Sequence, residues 1–331
     1  MKALVTGGGG FVGGAIVSGL LARGDEVRSF ARGHHSALAV RGVDVRRGDL
    51  CDREAVLRAV EGVDVVFHAA AKAGVWGAAE SFRRPNVIGT QHVLDACRAH
   101  GVRKLVFTSS PSVVFDQRSL EGVDERIAYP ARFLAPYPAT KAEAERAVLG
   151  ANSPALATVA LRPHLVWGPG DPHFVPRLLA RARAGKLRRV GDGHWKVDTT
   201  FVDNAADAHL NACDALAPNA RCAGRAYFIS NGEPIAVGEM LDRILAAAGL
   251  PPLQRSISPS FAVAAGWLAE TAYRLLRRDE EPPITRFLAR QLSTAHWFDI
   301  GAAKRDLGYR PRVGLDEGMA RLAEWLRHDG N

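Results

Sequence analysis

Three groups of residues in this chain have types and spacings that could do chemistry. Tyr137-Pro-Ala-Thr-Lys141 sets a phenol and an amine four residues apart, which on a helix puts them on one face. A phenol, with an ordinary pKa of about 10, is a poor acid or base at neutral pH. A lysine ammonium one turn away favours the phenolate and makes Tyr137 usable in proton transfer. Thr108-Ser-Ser-Pro-Ser112 follows a β-rich run and supplies hydroxyls that can hold a carbonyl oxygen. Thr6-Gly-Gly-Gly-Gly-Phe-Val-Gly13 carries Gly7, Gly10 and Gly13 at a G-x-x-G-x-x-G spacing. Such a turn lacks Cβ atoms, so backbone amides can approach phosphate oxygens and the next helix turns its positive end toward them. Standing between a strand that starts at residue 2 and a helix, it signals a dinucleotide far more strongly than the glycines alone.

These groups need a scaffold that brings them to one edge. The first 165 residues supply it by alternating short β-rich runs with longer helical patterns, the rhythm of a parallel sheet with crossover helices. Strands are expected at Lys2 to Thr6, Glu26 to Phe30, Val43 to Arg47, Val63 to His68, Lys104 to Thr108 and Ala157 to Leu161. Helices are expected at Phe11 to Arg23, Glu54 to Glu61, Asn86 to His100 and Tyr137 to Leu149. The glycine turn and the Ser cluster then both lie at the carboxyl edge, where doubly wound sheets place their sites. The rhythm breaks after Arg162-Pro-His-Leu-Val-Trp-Gly-Pro-Gly-Asp-Pro172 into mixed helices and isolated strands. The expected class is α/β, a Rossmann-type doubly wound sheet over 1–165. A smaller C-terminal α/β substrate lobe over 166–331 is interleaved with it.

The end of the second strand bears on which dinucleotide fits. NAD enzymes place a carboxylate there for the ribose 2′-hydroxyl. Phe30-Ala-Arg-Gly33 has Ala31 in that place and Arg32 beside it. A guanidinium can pair with a 2′-phosphate, so NADP(H) is expected over NAD. After the third strand Asp49 can accept the adenine amino group, with capping of the next helix, from Asp52 onward, as the plainer reading.

Composition closes off other classes. With 47% apolar and 24% charged residues the chain is ordinary for a globular protein, which excludes collagen-like, coiled-coil and disordered classes. Its net charge of +8 comes from scattered arginines, with no basic stripe or arm, so no nucleic-acid partner is expected. Cys51, Cys97, Cys213 and Cys222 form neither a disulfide framework nor a metal site. With a strand starting at residue 2, no leader and a cytoplasmic location are expected. The longest apolar run, Phe261 to Ala269, is far short of the roughly twenty residues that span a bilayer.

On these residues the chain resembles the extended short-chain dehydrogenase/reductase family over nearly its whole length. The matching stretches are Thr6 to Gly13, Gly48-Asp-Leu50, His68-Ala-Ala-Ala71, Asn86-Val-Ile-Gly-Thr90, Thr108-Ser-Ser110, Tyr137 to Lys141, Arg162 to Asp171 and Phe201-Val-Asp-Asn204. Within that family it resembles the 3β-hydroxysteroid dehydrogenase branch. Ala70 to Trp76, Tyr227 to Pro234 and Pro283 to Phe287 are similar to the bacterial 2-alkyl-3-oxoalkanoate reductases of long-chain olefin and β-lactone biosynthesis.

The resemblance implies Tyr137 as acid/base and Lys141 as its activator and ribose ligand. Ser110 would bind the carbonyl, with Ser112 as the alternative hydroxyl, and Asn86 would support the site. Gly7, Gly10, Phe11, Val12, Gly13, Asp49, Leu50, Ala69, Ala70, Ala71 and Pro163 would line the cofactor, and no metal is implied. The implied reaction is NADPH-dependent reduction of a long-chain β-keto acid, with an upstream condensing enzyme and a β-lactone synthetase as pathway partners. A homodimer is left open. A sterol or steroid 3β-hydroxy dehydrogenase, a nucleotide-sugar epimerase or dehydratase, and a non-catalytic NADP sensor are the competing readings. The sugar enzymes commonly have Arg-Asp where this chain has Lys196-Val-Asp198, which weakens that reading, and the intact Tyr137/Lys141 pair speaks against the sensor. A further departure is Val113-Val-Phe115, where the family commonly has Val-Tyr-Gly. Val75, Trp76 and Ser260 to Leu276 are unusually apolar. That segment reads as a lid over a long acyl chain, as a peripheral membrane or partner contact, or as a core helix.

Overall fold

In the computed structural model, which describes residues 1–278 and 280–328, the apolar runs form one parallel sheet of seven strands. These are β1 (Lys2–Thr6), β2 (Glu26–Ala31), β3 (Asp44–Arg47), β4 (Val65–His68), β5 (Lys104–Thr108), β6 (Ala157–Pro163) and β7 (Arg225–Ile229). Their spatial order is β3-β2-β1-β4-β5-β6-β7, with every pairing parallel. Alternate residues feed two cores. Val5, Phe67, Val106 and Leu161 pack on one face, and Leu4, Val66, Leu105 and Ala160 on the other. Both faces are covered, so the strands read as continuous apolar runs rather than alternating ones.

The covering helices used below are α1 (Phe11–Ala22), α2 (Arg53–Val60), α3 (Gly89–Ala99), α4 (Pro136–Gly150) and α5 (Val202–Ala215). The strand order reverses between β1 and β4, which opens a crevice at their carboxyl ends. Register makes that edge level: Thr6 lies opposite His68, and His68 opposite Phe107. The glycine turn leaves β1 there, and His68-Ala-Ala-Ala71 leaves β4 beside it.

The chain crosses the expected boundary at residue 165. β7, read from sequence as an isolated strand of the lobe, pairs with β6 and completes the large sheet. α5 returns to pack on α1, where Gly19 leaves room for Leu210; an added Cβ would sit 2.8 Å from its Cδ1. The rest of the C-terminal half builds a four-stranded sheet from Ile235–Ala236, Lys196–Val197, His296–Phe298 and Leu120–Val123. It has its own core of Trp167, Phe201, Met240, Ile244 and Leu322. Residues 279 and 329–331, within the expected lobe, lie outside the described residues. The helix expected from Asn86 instead begins earlier, at Ala79, passes through a π-turn at Arg84–Ile88 and is α-helical again from Gly89. Pro85 has no N–H to donate, which interrupts the regular ladder at that point.

One buried side chain fastens α5 to the segments around Asn231 and Val313. Asn204, at the start of α5, accepts from the backbone N–H groups of Arg312 and Val313 at 2.9 and 3.0 Å. Its Nδ2 donates to the Val313 carbonyl and to Asn231 Oδ1 at 2.7 and 2.8 Å. Truncation would leave several buried polar groups unpaired. Asn204→Ala is therefore expected to lower unfolding free energy by about 2–4 kcal/mol, read by urea titration. A loss under about 0.5 kcal/mol, the range of an ordinary surface change, would show that the latch holds nothing.

Candidate active site

The turn from β1 into α1 is built without side chains because none would fit. Gly7 has φ +71°, and a Cβ on Gly13 would lie 2.1 Å from the Gly7 carbonyl oxygen. Gly10 N–H donates to that same oxygen at 2.8 Å, closing the turn. No side chain caps α1, so its first amides are free to receive an anion. A Cβ-free turn feeding uncapped helix amides fits a dinucleotide pyrophosphate. Phe11 and Val12 pack inward behind it, and Ala70 lies so near Gly7 that an added Cβ there would come 3.0 Å from its Cα.

At the outer end of the crevice Arg32 is exposed after β2, and Arg47 ends β3 directly opposite Ala31. Arg47 Nε donates to the Arg32 carbonyl at 3.0 Å, and its Nη1 meets His34 Nε2 at 3.1 Å. The strand pairing thus adds a second guanidinium, which the sequence reading did not pick out. Asp49 accepts from Cys51 N–H at 2.9 Å, which with nearby Arg32 keeps its carboxyl below the usual range. Asp52 caps α2 through Ala55 N–H, leaving Asp49 to the crevice. Leu50 turns its side chain into the core against Gly89, so only its backbone can face a ligand. Pro163 is buried beside β7.

α4 carries Tyr137 and Lys141. Tyr137, Lys141 and Glu145 repeat at i, i+4 and i+8, one stripe facing the sheet. Lys141 Nζ donates to the Thr108 carbonyl at 2.6 Å and sits 4.0 Å over the Phe107 ring. Burial pulls its pKa down to about 7, with Glu145 resisting. Burial also pushes the Tyr137 phenol up, opposed by the nearby Ser110 hydroxyl. Ser110 is thus the serine that influences Tyr137. Ser112 stands behind it, with the two oxygens 2.9 Å apart and its own N–H donating to Ser110 Oγ at 3.2 Å.

Glu145 is itself clamped. Arg162 donates to both its oxygens, at 3.0 and 2.6 Å, and Tyr129 OH donates at 2.6 Å. Burial alone would raise this carboxyl, but the guanidinium brings it below its ordinary value. Arg162 is spent on this pair beneath α4. His164 pairs with buried Asp198 at 2.6 Å. Asp203 is exposed and bonds Arg321, whereas His209 is buried against Thr108 Oγ1 at 2.7 Å.

Asn86 sits on the π-turn and joins two elements. Its Oδ1 accepts from Lys72 N–H at 2.7 Å, and its Nδ2 donates to Thr140 Oγ1 at 3.1 Å, one residue before Lys141. A buried relay continues from it. Thr90 donates to the Asn86 carbonyl at 2.5 Å, so its oxygen must accept from His68 Nε2–H, 3.0 Å away. His68 Nδ1 therefore accepts from Thr6 Oγ1, 2.7 Å away, which accepts in turn from Ala70 N–H at 3.2 Å. Burial, with the nearby Lys141 charge, drives His68 down to about 3 and keeps it neutral. His68, Thr90, Thr140 and Glu145 are the site residues that sequence reasoning missed. Only Glu145, on the Tyr137/Lys141 spacing, carried a signal that could have shown it.

In front of α4 opens a cavity of about 370 Å³, lined by Val75, Trp76, Leu134, Pro136, Tyr273 and Arg274 among others. Trp76 meets Tyr273 edge to face at 6.3 Å, and Arg274 lies over the indole at 5.4 Å. A larger cavity, about 530 Å³ near Arg189 and Asp242, contains none of the residues above.

A phosphate turn at a sheet switch point, with a Tyr-Lys pair and a serine across it, is the layout of a short-chain dehydrogenase/reductase, an oxidoreductase. The family model described as "3-beta hydroxysteroid dehydrogenase/isomerase family" matches residues 4–258. The chain belongs to that family. It is 55% identical to the 2-alkyl-3-oxoalkanoate reductase of Stenotrophomonas maltophilia (strain K279a), covering 97% of this chain and 98% of that one. It is 36% identical to the mouse (Mus musculus) sterol-4-alpha-carboxylate 3-dehydrogenase, decarboxylating, over 99% of this chain and 91% of the other. Among solved structures, MoeE5 in complex with UDP-glucose and NAD superposes with a TM-score of 0.77 at 27% identity, covering all of both chains.

The pH dependence of turnover tests the site. Lys141 is protonated below about 7 and neutral above it. With the ammonium required, kcat/KM for carbonyl reduction is expected to be level in acid and to fall as pH rises through about 7. A profile that stays level well into the alkaline range would remove Lys141 from this role.

Proposed function

We propose that the protein reduces a 2-alkyl-3-oxoalkanoate, a long-chain β-keto acid, to the corresponding 3-hydroxy acid with NADPH. The observation that carries this is Tyr137, one turn from the buried Lys141 and near the Ser110 hydroxyl, on the same sheet edge as a Cβ-free glycine turn. The 55% relative of that name supports the substrate class.

Gly7, Gly10 and Gly13 with the α1 amides would hold the pyrophosphate, Asp49 the adenine side, and Ala69, Ala70 and Ala71 the wall of the crevice. Arg32 and Arg47 support NADPH, since two guanidiniums suit a 2′-phosphate better than a bare hydroxyl. When bound, the reduced nicotinamide supplies the hydride for the ketone carbon. Tyr137 gives its phenolic proton to the developing alkoxide, and Ser110 donates a hydrogen bond to the same oxygen. Lys141 offsets the phenolate left behind. Thr140, held by Asn86, keeps this turn of α4 in place. The cavity's Val75, Trp76, Leu134 and Tyr273 suit an acyl chain rather than a sugar nucleotide, and the arginines at its rim suit a carboxylate. A β-keto acid loses carbon dioxide readily, which favours direct supply by a condensing enzyme and uptake by a β-lactone synthetase.

The test is NADPH oxidation with a synthetic 2-alkyl-3-oxo acid. Tyr137→Phe is expected to lower kcat/KM by about 10²–10⁴-fold while NADPH binding, followed by fluorescence, stays unchanged. No oxidation with wild type, or full activity in the variant, would refute the assignment. Arg32→Ala is expected to weaken NADPH binding by about 10–100-fold and leave NADH unaffected. Equal loss for both cofactors would deny the 2′-phosphate contact.

A further inference from the structure

One histidine at this sheet edge has no part in the proton transfer described above. Thr108 on β5 pairs with Leu161 on β6, so two residues further on stand Ser110 and Pro163, and His164 follows. Its backbone is tied on both sides. The N–H donates to the Ile229 carbonyl on β7 at 3.0 Å, and the carbonyl accepts from Thr200 Oγ1 at 2.8 Å. The next residue, Leu165, has φ +40°, a left-handed conformation that a leucine keeps only where its surroundings impose it. The ring is fixed as well. Nδ1 lies 2.6 Å from Asp198 Oδ1, and Phe298 stands edge-on at 5.2 Å. Asp198 is fully buried, and its other oxygen accepts from Phe298 N–H at 3.0 Å. His296, 6.2 Å from His164 ring to ring, bonds Thr294 Oγ1 at 3.1 Å. Burial first and His164 second drive it down to about 3, so it adds no charge. Of the polar side-chain atoms of the His164/Asp198 pair, only Nε2 has no partner among the described residues, on a ring 15% exposed.

We infer that His164 selects a carboxylate on the substrate, its Nε2–H donating to a carboxylate oxygen. The inference rests on the β-keto acid reading above. The charge of the pair supplies the donor. A buried pair is least costly with no net charge, which puts one proton between Asp198 Oδ1 and His164 Nδ1 and the other on Nε2. As an anion approaches Nε2, the shared proton can settle on Nδ1 and turn full positive charge toward it, a response that a neutral acceptor does not draw. In a β-keto acid the carboxylate carbon is two bonds from the ketone carbon. The group that reads it must therefore stand beside the ketone donors, and His164 follows the strand end that is level with Ser110. The rival is the cavity rim, where Arg274 is paired with Glu270 at 3.4 Å and Arg277 and Arg278 remain.

The test compares reduction of a short 2-alkyl-3-oxo acid with that of its methyl ester, which keeps the ketone and lacks the charge. Wild type is expected to prefer the acid in kcat/KM. His164→Gln should cut that preference by about 10–100-fold, mainly through KM for the acid and with a far smaller change on the ester. Because this variant leaves Asp198 buried without its partner, His164→Gln combined with Asp198→Asn is measured beside it and should lose the preference equally, with NADPH binding as in wild type. Acid preference surviving in both variants, equal losses on acid and ester, or a wild type that takes the ester as well as the acid would overturn the inference. So would a preference lost in Arg277→Gln with Arg278→Gln and kept in His164→Gln, which would move the carboxylate to the cavity rim. A wild type that oxidises NADPH with neither compound fails the β-keto acid reading itself, and the inference with it.

Discussion

A lysine taken out of water is the constraint around which the site is arranged. Lys141 has lost its hydration and receives in return one carbonyl, the face of Phe107 and a carboxylate one turn on. That carboxylate is already shared, because Glu145 is gripped at both oxygens by Arg162. The buried set therefore holds two cationic groups against one anion. Desolvation makes the excess positive charge costly and draws Lys141 down toward neutrality. Negative charge arriving nearby relieves this, whether on a phenolate or on a developing alkoxide. A group that is uncomfortable when the site is empty becomes stabilising as anionic charge develops, which is the sense in which such a site is preorganised.

Holding that arrangement requires fixed strand ends, and the sheet provides them. Thr6 and His68 sit at level positions on adjacent strands with Thr108 one residue further along β5, and each uses its side chain to anchor something beyond the sheet. Thr6 and His68 link the glycine turn's strand to Thr90 on α3, and the π-turn passes the connection to Thr140 on α4. The direction of every hydrogen bond in this relay follows from donor and acceptor inventory, so His68 has one admissible tautomer. A charged His68 could not accept from Thr6, and its proximity to Lys141 disfavours that charge further. The glycine turn and α4 are therefore coupled by a fully satisfied polar line through the interior, of the kind that specifies a single packing.

Legibility in the sequence followed the range of the signal. The glycine turn and the Tyr137/Lys141 pair are local spacings, and the structure gives them the elements expected. Glu145 was equally local and went unread, because a carboxylate eight residues on passes for helix surface until its burial is known. His68, Thr90 and Thr140 are ordinary residues in ordinary elements; only the meeting of β4, α3 and α4 gives them a role. β7 looked isolated because roughly sixty residues separate it from β6, and strand pairing over such a distance leaves no pattern in the intervening chain. Arg162 is a similar case, since its partner Glu145 lies on α4, out of reach of any local pattern.

The apolar segment after Ser258 shows where composition alone runs out. A helix rich in Phe, Trp, Leu and Ala reads as core, lid or membrane contact with equal ease, since hydrophobicity says what a face avoids and not which way it points. Orientation was decided by Glu270. Its ion pair with Arg286 fixes that side of the helix Pro259–Leu275 inward, and the opposite side, with Phe261, Leu268 and Leu275, is exposed. The same rotation brings Tyr273 beside Trp76 at the cavity rim. One buried ion pair thus sets both the cavity wall that Trp76 and Tyr273 share and the apolar outer surface of this helix, and replacing Glu270 by an apolar residue would release the two together.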